Sequence, residues 1–180
     1  MRWTETPNPF AMTPAELDAF MNERWFASVA SLRRDGSPVI VYVGYEWDGE
    51  AAFFSVRSTR LLVERLKRDP RACFAITNIG YPPRFVSMQG VAEVIEDSGW
   101  ARTRSIQQRY MADDSPVMNE DELDQDAFWR AYTQVGRTMF KFTPHTIVTE
   151  DAGKGDYAAG GGGEVSDRYA RMRRGRSDED

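Results

Sequence analysis

The sequence predicts a mainly β fold (β plus α), a closed or split antiparallel barrel of six strands with flanking helices. Three observations carry this. Short β-branched and aromatic runs recur between turn dipeptides such as Asp35-Gly36 and Asp48-Gly49. A single short amphipathic segment interrupts the strands after the third of them. Further helical segments precede the last strand. The same order of elements leaves a single-chain β sandwich open as the alternative.

Thr13-Pro14-Ala15-Glu16 is a capping box with Pro at the first helical position. It predicts a helix to about Glu23, with Leu17, Phe20 and Met21 on one face. Trp25 to Leu32 alternates roughly and ends at Asp35-Gly36. Val39 to Tyr45 is β-branched and aromatic, hence a strand. Asp48-Gly49 then returns the chain into Ala51 to Val56, so these three strands read as an antiparallel meander. Ser58 or Thr59 is placed to cap a helix from Arg60 to Arg68, with Leu61, Leu62, Val63 and Leu66 as its apolar face. Asp69-Pro70 stops it. Ala72 to Asn78 and Phe85 to Ile95 are strands, separated by Gly80-Tyr81-Pro82-Pro83, which cannot form a ladder. Asp97-Ser98 caps a helix to about Met111. An acidic stretch, 113–121, leads to a second helix around 122–134, and the last strand is 136–148. The domain division is an extension over 1–12, the barrel over 13–150 and a disordered Gly- and Arg-rich tail over 151–180. The tail has too little apolar surface to offset its ordering entropy.

At 180 residues, 41% hydrophobic, the chain has the size and composition of one soluble domain. A formal charge of −5 argues against nucleic acid as the main partner, since phosphate neutralisation needs a basic surface. A local basic pocket remains compatible with that average. Cys73 and His145 are the sole cysteine and histidine. An internal disulfide and a Cys/His zinc site are therefore excluded by supply, and a Ser-His-Asp triad would have to use His145. No stretch approaches the roughly 20 apolar residues of a membrane span and no signal peptide is visible, so a cytoplasmic protein without a membrane partner is expected.

The segment richest in chemistry runs from Ser55 and Val56 through Arg57-Ser58-Thr59-Arg60 into a helix. The first amides of a helix are unsatisfied and its dipole is positive there. Two hydroxyls and two arginines within four residues would give a phosphate backbone, hydroxyl and guanidinium donors together. The plainer alternative is a capped helix with solvated arginines. The residues by themselves leave both open.

In order and content, the run resembles the pyridoxamine-phosphate-oxidase-like split-barrel superfamily. Ser58-Thr59-Arg60 stands where members carry a Ser-Arg-Lys-like turn, and Leu66-Lys67-Arg68-Asp69-Pro70-Arg71 matches the helix end Leu-x-x-Asp-Pro-Arg. Ala27 to Leu32 with Asp35-Gly36-Ser37-Pro38 is similar to the first hairpin, and Trp47-Asp48-Gly49-Glu50 to the second turn. Pro83 to Val94 is similar to the fifth strand and Phe142-Thr143-Pro144-His145 to the exit of the last. The likeness covers residues 13–150. It implies a homodimer binding FMN or the deazaflavin F420 at its interface, and a two-electron oxidoreductase acting by hydride transfer on a small conjugated substrate. The cofactor phosphate would lie against Ser58, Thr59 and Arg60, with Arg57 compensating for the altered turn. The ring would lie near Val41, Tyr42 and Val43 and near Ser55 and Val56, with Gln89 as a polar contact. The departure from Ser-Arg-Lys favours F420 over FMN. No catalytic residue is assigned; Tyr42, Tyr45 and Tyr81 are either proton donors or packing. The alternatives are a non-catalytic flavin, deazaflavin or haem binding or sensing protein, with His145 the one imidazole for haem, and a cofactor-free dimerisation domain.

Overall fold

The computed structural model describes residues 2–3, 8–111, 129, 132 and 134–154. The capping box forms as the sequence implies. The Thr13 hydroxyl accepts from the Glu16 amide at 3.3 Å, and the Glu16 carboxylate accepts from the Thr13 amide at 2.6 Å. This starts α1 (Pro14–Met21), which buries Leu17, Phe20 and Met21.

Six principal strands follow: β2 (Ala27–Leu32), β3 (Pro38–Val43), β5 (Ala52–Arg57), β6 (Arg71–Thr77), β7 (Arg84–Ile95) and β8 (Arg137–Asp151). Two-residue strands, β1 (Arg2–Trp3) and β4 (Glu46–Trp47), are added to them. The sheet order is β3-β2-β6-β7-β8-β5-β4, with β1 parallel to β8. The sheet curls until β3 touches β5, forming a half-open antiparallel barrel.

The expected meander is corrected here. β3 pairs with β2, whereas β5 pairs with β8 and β4. Ala52 to Val56 are all buried, so β5 needs cover on both faces and sits within the sheet. Between β3 and β5, the wholly buried Tyr45 anchors the corner by donating to the Met21 carbonyl at 2.9 Å.

Inside the barrel, Phe54 stacks on Phe140 and Phe74 on Phe142, with centroids 5.2 Å apart in both pairs. α2 (Leu61–Arg68) covers one end, burying Leu62, Val63 and Leu66 while Leu61 stays exposed. β7 and β8 share one long ladder, irregular between Gln89 and Gly90. A Cβ at Gly90 would lie 2.3 Å from the Thr143 carbonyl oxygen, so only glycine fits there. Asp97 leads through the 3-10 turn Ser98–Trp100 into α3 (Ala101–Met111). α3 packs over the second face of β5, where Ile106 joins Ala51, Phe53 and Met139. The acidic stretch, most of the expected helix at 122–134 and nearly all of the tail lie outside the described residues. No described helix is long and apolar enough to cross a membrane.

Candidate functional site

Arg57 ends β5 directly opposite Arg137, the first residue of β8. The Ser58–Arg60 turn is then tied down to β8. The Ser58 amide donates to the Gly136 carbonyl at 3.0 Å, and the Ser58 and Thr138 hydroxyls share a 3.0 Å hydrogen bond. Because Ser58 is engaged in this way, neither it nor Thr59 caps α2. The N-cap is Arg60, and no side chain closes the helix end.

Arg137 is held rigidly beside this turn. Its Nε and Nη2 donate to the Ser55 hydroxyl and carbonyl, both at 3.0 Å. Its guanidinium lies 4.0 Å over the Tyr132 ring. Burial pulls the Arg137 pKa down, and Arg57 and Arg60 add repulsion in the same direction. Among the described residues none of the three arginines has a carboxylate partner. Three cations and an open helix N-terminus therefore surround one turn. Positive charge of this kind is relieved by an anion that accepts several hydrogen bonds.

The other expected site residues divide. Val43 and Val56 are buried in the core and Val41 packs against it, so their side chains face away from any outer ligand. Ser55 is buried and already holds Arg137. Tyr42 is 72% exposed and lines a cleft of about 610 Å³ with Trp25, Phe26, Ile79 and Phe85. Gln89 is exposed opposite Cys73 and borders a separate cleft of about 270 Å³ with His145 and Arg71. It lies six residues up β7 from Ile95, which pairs with Met139 near the turn. At about 3.3 Å per residue that is about 20 Å, so one chain does not bring Gln89 to the arginines. Of the tyrosines, Tyr45 is buried, with its pKa pushed up chiefly by desolvation; Tyr42 and Tyr81 are exposed. The residue that sequence reasoning left out of the site is Arg137, 82 positions from Ser55. No local sequence signal marks it, because only the pairing of β8 with β5 brings it there.

Fold and turn together define an antiparallel split-barrel protein with Arg57, Arg60 and Arg137 gathered at the start of α2. More particularly, the chain belongs to the pyridoxamine 5'-phosphate oxidase family, whose model matches residues 13–147. A conserved hypothetical protein from Mycobacterium tuberculosis, Rv2991, is similar in structure. Its TM-score is 0.66 at 22% identity, over 84% of this chain and 92% of that one. An F420 reductase matches at TM-score 0.57 and 20% identity, over 73% of this chain and 94% of its own. The haem storage protein HutZ from Vibrio cholerae matches at 0.54 and 14%, over 76% and 93%. At such identities the likeness is one of fold. No curated protein matches significantly.

Proposed function

We propose that the protein is an FMN- or F420-dependent oxidoreductase that binds the cofactor's phosphate at Arg57, Ser58, Thr59, Arg60 and Arg137. The observation that carries this is the arginine trio: Arg57 and Arg60 flanking the turn and Arg137 beside it on β8, without a carboxylate partner among the described residues. Both cofactors bring a phosphate of suitable charge. When bound, such a cofactor supplies hydride chemistry, and the protein supplies position and electrostatics. Arg137 enters that role already oriented by Ser55, so little side-chain entropy is lost on binding. The open amides of α2 add donors, and the aromatic wall around Tyr42 offers a flat surface to a ring or a substrate.

A second copy of the chain completes this reading. The outer face of β3, β2, β6, β7 and β8 exposes Ile40, Tyr42, Phe85 and Val148 around the small residues Ser28, Ala30, Ala75 and Ser87. An apolar sheet face of that kind suits burial against its own copy. In a homodimer, Gln89 could reach the partner's cofactor rather than its own.

The test is titration of purified protein with FMN and with F420, read by absorbance and fluorescence. One of them binds tightly, and Arg60→Ala weakens it about 10- to 100-fold, the size of one or two charge-assisted hydrogen bonds. Binding of neither ends the cofactor reading. The fold match to HutZ makes haem the second ligand to titrate, and His145→Ala would then abolish the haem spectrum. Turnover of a conjugated acceptor separates an enzyme from a carrier.

A further inference from the structure

We infer that the cleft of about 280 Å³ beside Arg137 is a second binding site, for a planar aromatic carboxylate. It is lined by Lys67 of α2, Val94 and Ile95 of β7, Trp100 before α3, and the first residues of β8. Trp100 is the informative side chain. Its φ is +62°, and it follows Gly99 at +65°, a left-handed pair in which a bulky residue is an outlier. Among the described residues Trp100 belongs to neither hydrophobic cluster, so the packing seen there does not account for this placement. The turn instead sets the indole against the cleft, where Val94 and Ile95 continue its apolar surface.

The charge in the cleft is positive. Lys67 has no ion pair or hydrogen bond among the described residues, and Arg137, which also lines the cleft, has no carboxylate partner among them. The one acid among the described lining residues, Asp97, is already engaged: its two carboxylate oxygens accept the Arg102 and Thr103 amides at 3.0 Å each. It thereby closes the start of α3 and leaves Lys67 without a carboxylate partner among the described residues. A flat hydrophobic body with one carboxylate matches an indole, two aliphatic side chains and two cations. The site touches the cofactor turn through Arg137 and Thr138 but uses Lys67 and Trp100, which that turn does not.

The test uses the full chain with 2-naphthoate as probe and 2-naphthalenemethanol as its uncharged counterpart, by calorimetry. Naphthoate binds, and the alcohol binds at least tenfold more weakly. Lys67→Gln lowers naphthoate affinity about tenfold and leaves FMN or F420 binding unchanged. Trp100→Gly suits the left-handed backbone, so it keeps the thermal midpoint while losing the probe, which separates a lost contact from a lost fold. The inference is overturned if naphthoate fails to bind, or if it binds Lys67→Gln and Trp100→Gly as tightly as the parent. The shared Arg137 makes naphthoate and FMN or F420 weaken one another. Naphthoate that the cofactor displaces while Lys67→Gln and Trp100→Gly leave its affinity unchanged overturns the inference, because it would then occupy the cofactor site. Naphthoate binding without FMN or F420 binding would sink the proposed function and leave this site standing.

Discussion

Arg137 joins stability to recognition. Its hydrogen bonds to Ser55 fasten the start of β8 to β5, while its charge adds to that of Arg57 and Arg60. Arg137→Gln should therefore weaken FMN or F420 binding at least tenfold, measured by titration, and lower the thermal midpoint as well. Arg60→Ala, on an exposed turn, should weaken binding with little effect on melting. Gly90 makes a different kind of prediction. A Cβ there meets backbone, which cannot move aside. Gly90→Ala should cost about 1–3 kcal/mol in denaturant unfolding. The sequence showed the turn arginines because they are neighbours in the chain. Arg137 was hidden because only the register of the last strand brings it there. Gln89 looked like a site residue, and the ladder carries it about 20 Å away within one chain.

Helices and strands were legible where local chemistry decides them. Thr13, Pro14 and Glu16 specify α1 by themselves, and Thr13→Ala should cost about 1 kcal/mol, checked by urea unfolding. The far end of α1 depends on distant residues. There Arg109 donates to the Met21 carbonyl at 2.8 Å and also to the Glu23 carbonyl, and Tyr110 donates to the Trp25 carbonyl at 2.7 Å. No local motif announces that clamp. α2 illustrates how a local reading fails: Ser58 has the chemistry of a cap, but Thr138 takes its hydroxyl. The partners of β5 were equally invisible, since a hairpin signal at Asp48-Gly49 describes a turn and not which strands lie beside it. The left-handed pair before α3 had no sequence signal at Trp100, a residue type that rarely adopts it.

For the molecule as a whole, acid is the condition that tests its ion pairs. The Lys154 ammonium, followed by the Thr13 amide and hydroxyl, holds Glu16 at about 2, down from 4.5. Arg71 holds Asp69 at about 2, down from 3.8. Arg84 lowers Glu23, through hydrogen bonds of 2.6 and 2.7 Å. Each of these carboxyls has a lower pKa folded than unfolded, so the unfolded chain takes up protons first as pH falls. The stabilisation is complete above the unfolded value of about 4.5 and drains away between there and about 2. Thermal melts should accordingly be flat from neutral pH to about 5 and decline below it, with Glu23→Gln and Glu16→Gln each flattening part of that decline. The decline is modest because Glu16 and Asp69 face solvent, which screens their pairs. Association should be equally plain: light scattering at micromolar concentration gives a dimer, and Ile40→Glu with Tyr42→Glu gives a monomer. A monomeric parent protein would remove the second copy from the site.

β8 pairs with β7, β5 and β1, and it is the last of the described strands along the chain. A nascent polypeptide leaving the ribosome therefore carries β5 and β7 for a long interval before their shared partner exists. The aromatic rings of Phe54 and Phe74 stay open to other surfaces until Phe140 and Phe142 emerge to cover them. Cooperative folding is postponed until β8 has emerged. A chain stopped at residue 136 should occupy chaperones rather than accumulate as a shortened barrel.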